Sequence, residues 1–365
     1  MINKKIILDQ IKISLSPIKK YLSDDNVTDI IIYNANKIYV KYTNTDFIKV
    51  KDAKWNNDKD LLVTAKQIGR SINRRIDEEN PILDARLPDM SRVNICVPPV
   101  YPDSGLIVIR KFPETNLTFD DLINYKTLNK DLVEILKSFI YLGKNIIIAG
   151  RTGTGKTTVL NLLANEINKQ YQVVTCEENL EIRLNRELWT RLETTMNIFE
   201  PEKSITLKDL VKTSLRLIPE WVILGEVRGG EVVDMLRAFN TGHSGICTVH
   251  ANSALDSLKA FEMLYQQEID TKIEAIQKTI ARSIDIVIFI NRFKDNRRVI
   301  ESVIEVNDLE IVKDKYEYIT NNIFNFELEG YKKGKSYGKC HFLNKPSFFK
   351  EYKLNDIDIP QVWRK

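Results

Sequence analysis

The sequence predicts an α/β protein in which a larger domain, built on a parallel sheet between helices, follows a smaller α+β domain. The chain has 365 residues, of which 43% are hydrophobic. Because a single hydrophobic core stops growing well below this length, we expect two domains. After residue 130, short apolar runs alternate with segments of helical periodicity, as is typical of parallel strands covered by helices on both faces. We therefore expect an N-terminal domain over residues 1–112, a linker over 113–129, a second domain over 130–305, and a C-terminal extension over 306–365 whose organisation the pattern does not predict.

The N-terminal domain is predicted from a helical stretch at its start, three strand-like segments ("VTDIIIYN", "KIYVKYT" and "FIKVKD"), a helix in "DLLVTAKQIGRSIN", and strands in "RVNICVPP" and "LIVIRKF". The polar, proline-containing "PETNLTF" predicts the linker. In the second domain the predicted strands cover 145–149, 172–177, 221–225 and 246–250, and the predicted helices cover 130–142, 156–168, 206–217, 230–240 and parts of 254–284.

Charge and cysteine content argue against some classes of function. The 54 basic and 50 acidic side chains leave a net charge of +4, which is too small to indicate a nucleic-acid groove. The four cysteines include no C-x-x-C pair, so they indicate no zinc site and fit a reducing cytoplasm. The N-terminal segment lacks the unbroken apolar core of a signal peptide, and no apolar run approaches the roughly 18 residues of a membrane span. We expect a cytoplasmic protein, at most peripheral to a membrane.

A glycine-rich loop lies between the predicted strand "NIIIA" and the helix "VLNLLANEINKQ". Its sequence, "GRTGTGKTT", matches the phosphate-binding pattern G-x-x-x-x-G-K-[ST]. Backbone N–H groups of such a loop surround phosphate oxygens, the helix N-terminus adds a positive dipole, Lys156 reaches the outer phosphates, and the Thr157 hydroxyl contacts Mg²⁺. The predicted nucleotide-binding residues are Gly150, Arg151, Thr152, Gly153, Thr154, Gly155, Lys156, Thr157 and Thr158. The alternative is a glycine-rich turn without a ligand.

Carboxylates end two of the predicted strands. Glu226 follows the apolar run "WVILG", at the edge of the sheet that also carries the glycine-rich loop. There it can order a metal shell or accept a proton from an attacking water, although it can equally cap the next helix. Glu177 and Glu178 directly follow Cys176, where the strand "QVVT" ends. Grouped carboxylates repel one another unless a cation or an arginine lies near, so the pair predicts such a partner, and exposed loop acids are the alternative.

Two of the three histidines fall in "FNTGHSGICTVHANS". His243 lies in a turn flanked by glycine, and His250 ends an apolar strand. We expect both at the phosphate-holding edge, in contact with a γ-phosphate or a neighbouring subunit. A structural role is the alternative, because lone histidines are commonly satisfied within the fold.

In their order along the chain, "GRTGTGKTT", "CEENLEI", "LIPEWVILGEVRGGE" and "FNTGHSGICTVHANS" resemble the Walker A, Asp box, Walker B and His box of the secretion-superfamily ATPases. These proteins drive pilus assembly and type II and type IV secretion. "VTDIIIYNANKIYV", "RRIDEENPILDARLPDMSRVNICVPP" and "LIVIRKF" resemble the CpaF-like branch, the Tad pilus motors, so the resemblance covers residues 22–305. The lack of a tetracysteine insertion and of the motif "AIRNLIRE" agrees with that branch, whereas Glu178 stands where the family usually has aspartate.

The resemblance implies a RecA-like P-loop NTPase domain that binds ATP and Mg²⁺ against the N-terminal domain. Glu226 would activate or position water, and Glu177 with Glu178 would complete the metal and water shell, so that Thr157, Glu177 and Glu226 serve the metal, partly through water. His243 and His250 would sense the γ-phosphate. The charge of the transferring phosphoryl group would be neutralised by four arginines, Arg86, Arg92, Arg110 and Arg228.

The resemblance also implies partners. We expect a homo-hexamer at the cytoplasmic face of the inner membrane, acting on a platform protein there and through it on pilin or an exported substrate, with no nucleic acid. A RecA-like nucleic-acid translocase is the main alternative, because it shares the phosphate loop and the hydrolytic carboxylate. A scaffold that binds ATP without turnover is a second alternative.

Overall fold

The structure is a computed structural model that describes residues 11, 13–42, 45–72, 74–87, 89–111, 117–195, 201–312 and 315–364. Most of the helical stretch predicted at the start of the chain, and residues 113–116 of the predicted linker, lie outside the described residues. The chain divides into two compact units, Met1–Asn116 and Leu117–Lys365. None of the helices in the described ranges combines the length and apolar character that crossing a bilayer requires.

The N-terminal unit contains a six-stranded antiparallel sheet with the order β3-β2-β1-β6-β5-β4. The strands are β1 (Val27–Asn34), β2 (Lys37–Tyr42), β3 (Phe47–Val50), β4 (Ile82–Arg86), β5 (Arg92–Cys96) and β6 (Leu106–Arg110). Helices α1 (Lys19–Leu22) and α2 (Asp58–Ser71) accompany the sheet. Alternate strand residues such as Ile30, Ile32 and Val93 are buried together with Leu61 and Ile68 of α2, so one face of the sheet builds the core of this unit.

The second unit contains a nine-stranded sheet with the order β15-β14-β13-β12-β7-β11-β10-β8-β9. Its strands are β7 (Ile146–Ala149), β8 (Val173–Glu177), β9 (Trp189–Glu193), β10 (Trp221–Val227), β11 (Ser244–Val249), β12 (Ile286–Arg292), β13 (Arg298–Val312), β14 (Lys315–Lys332) and β15 (Lys335–Phe342). The six strands from β12 to β9 are mutually parallel. Strands β13, β14 and β15 continue the sheet in antiparallel fashion beyond β12.

Helices cover both faces of this sheet, as predicted. They are α3 (Phe119–Asn124), α4 (Lys130–Tyr141), α5 (Lys156–Asn165), α6 (Leu207–Ser214), α7 (Glu231–Asn240), α8 (Ala254–Glu268), α9 (Ile273–Ser283) and α10 (Lys350–Leu354). Helices α4 and α5 and the C-terminal segment pack in one apolar cluster, and α6 to α9 pack in another. Strand residues of opposite orientation divide between the two, for example Ile146 and Ile147 of β7. The α/β fold class predicted from the sequence is therefore the observed one.

Two segments have more structure than the sequence indicates. The predicted linker contains α3, and Leu122 and Leu128 from this segment are buried in the core of the second unit. Residues 306–365, for which the pattern predicted no organisation, form most of the β13–β14–β15 ribbon and an aromatic-rich end that includes Tyr352 and Trp363. The C-terminal extension is thus part of the same core as the parallel sheet.

Candidate active site

The candidate active site lies at the edge of the sheet where the parallel strands end. Strand β7 ends at Ala149, the loop 150–155 follows, and α5 begins at Lys156. Gly153 and Gly155 have φ angles of +74° and +97°, a left-handed conformation that residues with a side chain rarely adopt. A Cβ on Gly150 would lie 2.4 Å from the Ile290 carbonyl oxygen of β12. The loop therefore needs glycine for its curvature and for its close approach to β12.

The Lys156 side chain is buried inside this loop. Its Nζ donates to the carbonyl oxygens of Gly150 (3.1 Å) and Arg151 (3.4 Å) and lies 3.2 Å from His250 Nδ1. Burial lowers the pKa of Lys156, and the nearby Glu226 carboxylate opposes that shift. The ammonium is thus held where the phosphate oxygens of a bound nucleotide would meet it.

His250 joins Lys156 to Glu226. An ammonium group can only donate, so His250 Nδ1 accepts from Lys156, and His250 Nε2 is in close contact with Glu226 Oε1, a buried oxygen that has no hydrogen-bond partner among the described residues. Both residues lie here because β10 and β11 are parallel neighbours in which Val227 is paired with Val249. The contacts therefore run without a break from the phosphate loop to the carboxylate on the "WVILG" strand.

Arg228 continues the series toward the second acidic cluster. Its Nη2 donates to Glu226 Oε2 at 2.5 Å, and its Nη1 donates to Glu178 Oε2 at 3.1 Å. The hydrogen bond to Glu226 is the main reason why the pKa of Arg228 is raised. The arginine predicted as a partner for the grouped carboxylates is thus Arg228, which holds Glu178 beside Glu226.

Glu177 is more deeply buried than its neighbour, with 1% of its surface exposed. Its Oε1 accepts the backbone N–H groups of Glu181 (2.7 Å) and Ile182 (2.8 Å), so this carboxylate fixes the loop that follows β8. Burial raises its pKa to about 7. Its Oε2 is buried and has no hydrogen-bond partner among the described residues.

The residues present fit a magnesium ion that is bound together with a nucleotide. No group of three or more His, Cys, Asp or Glu side chains in the described part of the chain could hold a metal by itself. Magnesium is commonly held by one or two protein oxygens, with water and substrate phosphates completing its shell. The unpartnered Oε2 of Glu177 is one such oxygen, and Thr157, the second residue of α5, follows the phosphate-loop lysine directly.

The remaining residues predicted to bind nucleotide line or stabilise the loop. Thr154 is buried, and its hydroxyl donates to the Arg151 carbonyl at 2.8 Å. Arg151 Nε donates to Asn252 Oδ1 at 2.9 Å, which joins the loop to the segment after β11. An open cavity of about 300 Å³ lies between them, lined by Arg151, Thr152, His250, Ala251 and Asn252. Thr158 is half-buried in the first turn of α5.

The two histidines of the "GHSGICTVH" segment do not lie together. His243 precedes β11, whereas His250 follows it, so the whole six-residue strand lies between them. His243 Nδ1 lies 3.2 Å from the Ala238 carbonyl and 3.3 Å from the Thr241 hydroxyl, at the amino-terminal edge of the sheet. The prediction that His243 lies at the phosphate-holding edge is wrong, because a β-strand carries its two ends to opposite edges.

The three N-terminal arginines belong to the other unit of the chain. In its sheet, Arg92 of β5 is paired with Arg86 of β4 on one side and with Arg110 of β6 on the other. Asp29 of β1 is paired with Arg110 in turn. Directly paired residues share a face of the sheet, so the three arginines and Asp29 stand in one row.

Two residues at this edge were not among the site residues predicted from the sequence. Arg298, the first residue of β13, donates from Nε to the Gly153 carbonyl of the phosphate loop at 3.0 Å. Arg292, the last residue of β12, is its direct partner in the ladder. The basic turn "NRFKDNRR" after an apolar strand was the only signal, and such a signal is far less specific than a glycine-rich motif.

Residues 12–313 match the family model described as "Type II/IV secretion system protein". The chain belongs to this family. Its match spans both units, and it includes every residue of the contact series from Lys156 to Glu178. The coarser part of the sequence resemblance is therefore confirmed.

The relatives of this type II/IV secretion system protein that can be compared one by one share about a third of the aligned residues or fewer. An uncharacterized protein of Methanocaldococcus jannaschii is 34% identical over 231 residues, which is 61% of this chain and 32% of that protein, so the chain spans about a third of that relative's length. The type IV secretion system protein VirB11 of Bartonella quintana is 27% identical over 329 residues, covering 79% of this chain and 90% of VirB11. The X-ray structure of the Yersinia pseudotuberculosis ATPase DotB is similar in fold, with a TM-score of 0.60 at 18% identity over 81% of this chain and 79% of DotB.

Proposed function

We propose that the protein is an ATP-hydrolysing motor subunit of a secretion or pilus-assembly system. The observation that carries this proposal is the contact series Lys156–His250–Glu226–Arg228, which joins a phosphate-binding lysine to a strand-end carboxylate through one histidine. A loop that only bound phosphate would need no carboxylate held in this position. Membership of the type II/IV secretion system family supports the choice of motor.

In this proposal the loop binds the nucleotide and Glu226 acts on water. The backbone N–H groups of the loop and the Lys156 ammonium bind the β- and γ-phosphates. Glu226 orients the attacking water and accepts its proton, while His250 holds the carboxylate at a fixed position relative to Lys156 and responds to the γ-phosphate. Arg228 compensates negative charge near the transferring group.

Magnesium, held by Thr157, Glu177 and Glu226, partly through water, would supply positive charge on the phosphate oxygens. The row formed by Arg86, Arg92 and Arg110 would supply further charge from the N-terminal unit. Glu178 would help to order water through its bond to Arg228.

The proposed assembly is a homo-hexamer at the cytoplasmic face of the membrane, acting on an inner-membrane platform protein and through it on pilin or an exported substrate. Within the family we assign the chain to the CpaF-like Tad branch. The support is the resemblance of the N-terminal strand segments to that branch and the scattered positions of the four cysteines. His243, at the amino-terminal edge of the sheet, keeps the alternative role of a subunit contact.

The test is phosphate release from ATP by the purified full chain, with and without magnesium and with and without single-stranded DNA or RNA. We expect turnover that needs magnesium and is unaffected by nucleic acid. Lys156→Ala should weaken ATP binding at least tenfold, because it removes a charged donor to the phosphates. Lys259→Ala removes an exposed lysine from α8 and is the matched control, with no expected change.

Three outcomes would contradict the proposal. Strong stimulation by nucleic acid would favour a translocase, and ATP binding without any turnover would favour a scaffold. Equal effects of Lys156→Ala and Lys259→Ala on ATP binding would show that the phosphate loop does not bind ATP.

A further inference from the structure

The turn between β12 and β13 lies against the phosphate loop. Strand β12 is the parallel neighbour of β7, with Phe289 paired with Ala149, so both strands end at the same edge of the sheet. The loop begins in tight contact with β12, where a Cβ on Gly150 would lie 2.4 Å from the Ile290 oxygen. Two arginines, Arg292 and Arg298, stand at the two ends of this turn.

Both arginines reach the loop. Arg298 Nε donates to the Gly153 carbonyl at 3.0 Å, and its Cδ would lie 3.4 Å from a Cβ added to Gly155. Arg292 Nη1 would lie 3.7 Å from a Cβ added to Gly153. The absence of side chains at these two glycines therefore leaves room for the arginines as well as for the curvature of the loop.

The two guanidinium groups are a concentration of positive charge. Burial lowers the pKa of Arg298, and the like charge of Arg292 lowers it further. Among the described residues, the guanidinium of Arg292 is hydrogen-bonded to the neutral side-chain oxygen of Asn296. Together with the Lys156 ammonium inside the loop, the charge of Arg292 is compensated best by a ligand with several negative charges.

The turn itself is firmly anchored on its far side. Asp295 Oδ2 accepts both the backbone N–H (2.6 Å) and the hydroxyl (2.8 Å) of Ser336 in β15. Arg297 donates to the carbonyl oxygens of Ser336 (3.0 Å) and Lys126 (2.7 Å). These bonds to Ser336 and Lys126 hold the turn in place. Arg292 and Arg298, at its two ends, therefore lose little conformational freedom when a ligand binds at the loop.

We propose that Arg292 binds the phosphate chain of the nucleotide and that Arg298 is a positioning residue that holds the phosphate loop through Gly153. This inference rests on the proposed function, since it takes the loop to be a nucleotide site. It adds two cationic side chains from the β12–β13 turn to the nucleotide site, outside the glycine-rich motif. Arg298 uses Nε for the loop, a donor geometry that lysine cannot reproduce.

The experiment measures dissociation constants of ATP, ADP and AMP by competition against a fluorescent ATP analogue. The full chain is compared with Arg292→Ala, Arg292→Lys, Arg298→Ala and Arg298→Lys. Lys294→Ala is the matched control, because Lys294 is exposed on the same turn and its loss removes the same charge. Thermal unfolding without nucleotide establishes that each variant is folded.

We expect Arg292→Ala to weaken ATP binding about tenfold, ADP binding less and AMP binding least, because a contact to the phosphate chain gains strength with ligand charge. Arg292→Lys should recover most of the loss. Both Arg298 variants should weaken ADP and ATP alike, with no rescue by lysine, because the bond to Gly153 is lost in either case.

Equal ATP affinities for Arg292→Ala and Lys294→Ala would overturn the role of Arg292. Full rescue by Arg298→Lys would overturn the role of Arg298, since charge alone would then suffice. If the unchanged chain does not bind ATP at all, the proposed function fails. If it binds ATP but the arginine variants match the control, only the present inference fails.

Discussion

Single residues connect parts of the chain that are far apart in sequence. His250 accepts from Lys156 and contacts Glu226, so one imidazole ring links the phosphate loop to the next-but-one strand of the sheet. Arg228 then links Glu226 to Glu178, which directly follows the neighbouring strand β8. A change in any one of these side chains is therefore expected to affect the position of the others.

At the same scale, the burial of Glu177 predicts a pH-dependent stability. Its pKa is raised from 4.5 to about 7, so its contribution to stability is fully present below pH 4.5 and is lost as the pH rises to about 7. The loss amounts to about 3 kcal/mol. Glu177→Gln keeps an oxygen for the Glu181 and Ile182 N–H groups and carries no charge. The variant should match the unchanged chain at pH 4.5 and be more stable at pH 8, as measured by urea unfolding without magnesium.

Glu187→Gln is the control for this measurement, because Glu187 is exposed in the same connection between β8 and β9. Its stability should follow that of the unchanged chain at both pH values. A stabilisation by Glu177→Gln that is the same at pH 4.5 and pH 8 would show that folding does not raise the pKa of Glu177.

Among the elements, the buried parallel strands were the most predictable from the sequence. β7, β8 and β10 are covered on both faces, so their residues form continuous apolar runs such as "IIIA" and "WVIL". From "DIVIFINRF" onward the sequence indicates further strands but not their arrangement in the β13–β14–β15 ribbon, because much of the ribbon is exposed and its strands mix Asn, Glu and Lys with single apolar residues. The contact of Arg298 with Gly153 was not predictable either, since it joins residues 145 positions apart.

The C-terminal segment is an element whose contribution to stability can be measured. Trp363 is 4% exposed and packs near the rings of Phe139, Phe349 and Tyr352, with centroid separations of 6.1 to 6.4 Å. Trp363→Ala should destabilise the second unit by about 3–5 kcal/mol, because it leaves a cavity between the segment and α4. Chemical unfolding of the full chain measures the difference.

Leu354→Ala is the matched control, because Leu354 lies in the same segment and is 80% exposed. It should change the free energy of unfolding by less than about 0.5 kcal/mol. Equal effects of the two substitutions would show that the C-terminal segment does not pack on the core in solution.

For the whole molecule, the proposed function includes a contribution of N-terminal arginines to hydrolysis. The row Arg86–Arg92–Arg110 is the feature of that unit suited to the task. Arg110→Ala should lower the turnover number about a hundredfold and change ATP affinity less than about threefold, because the charge it compensates develops during transfer. Steady-state hydrolysis and equilibrium ATP binding, measured on the full chain, separate the two quantities.

Arg70→Ala serves as the control, since Arg70 is exposed in the last turn of α2 in the same unit. Its turnover should equal that of the unchanged chain. Normal turnover of Arg110→Ala, with Arg86→Ala and Arg92→Ala equally active, would mean that the arginine row has no part in hydrolysis.

The most direct measurement compares ATP binding and ATP hydrolysis in Glu226→Gln. The substitution keeps the size of the side chain and removes the group that orients water and accepts its proton, while Lys156 and the loop remain. We expect ATP affinity close to that of the unchanged chain and a turnover number lower by about a hundredfold or more. Hydrolysis at the normal rate in Glu226→Gln would contradict this expectation.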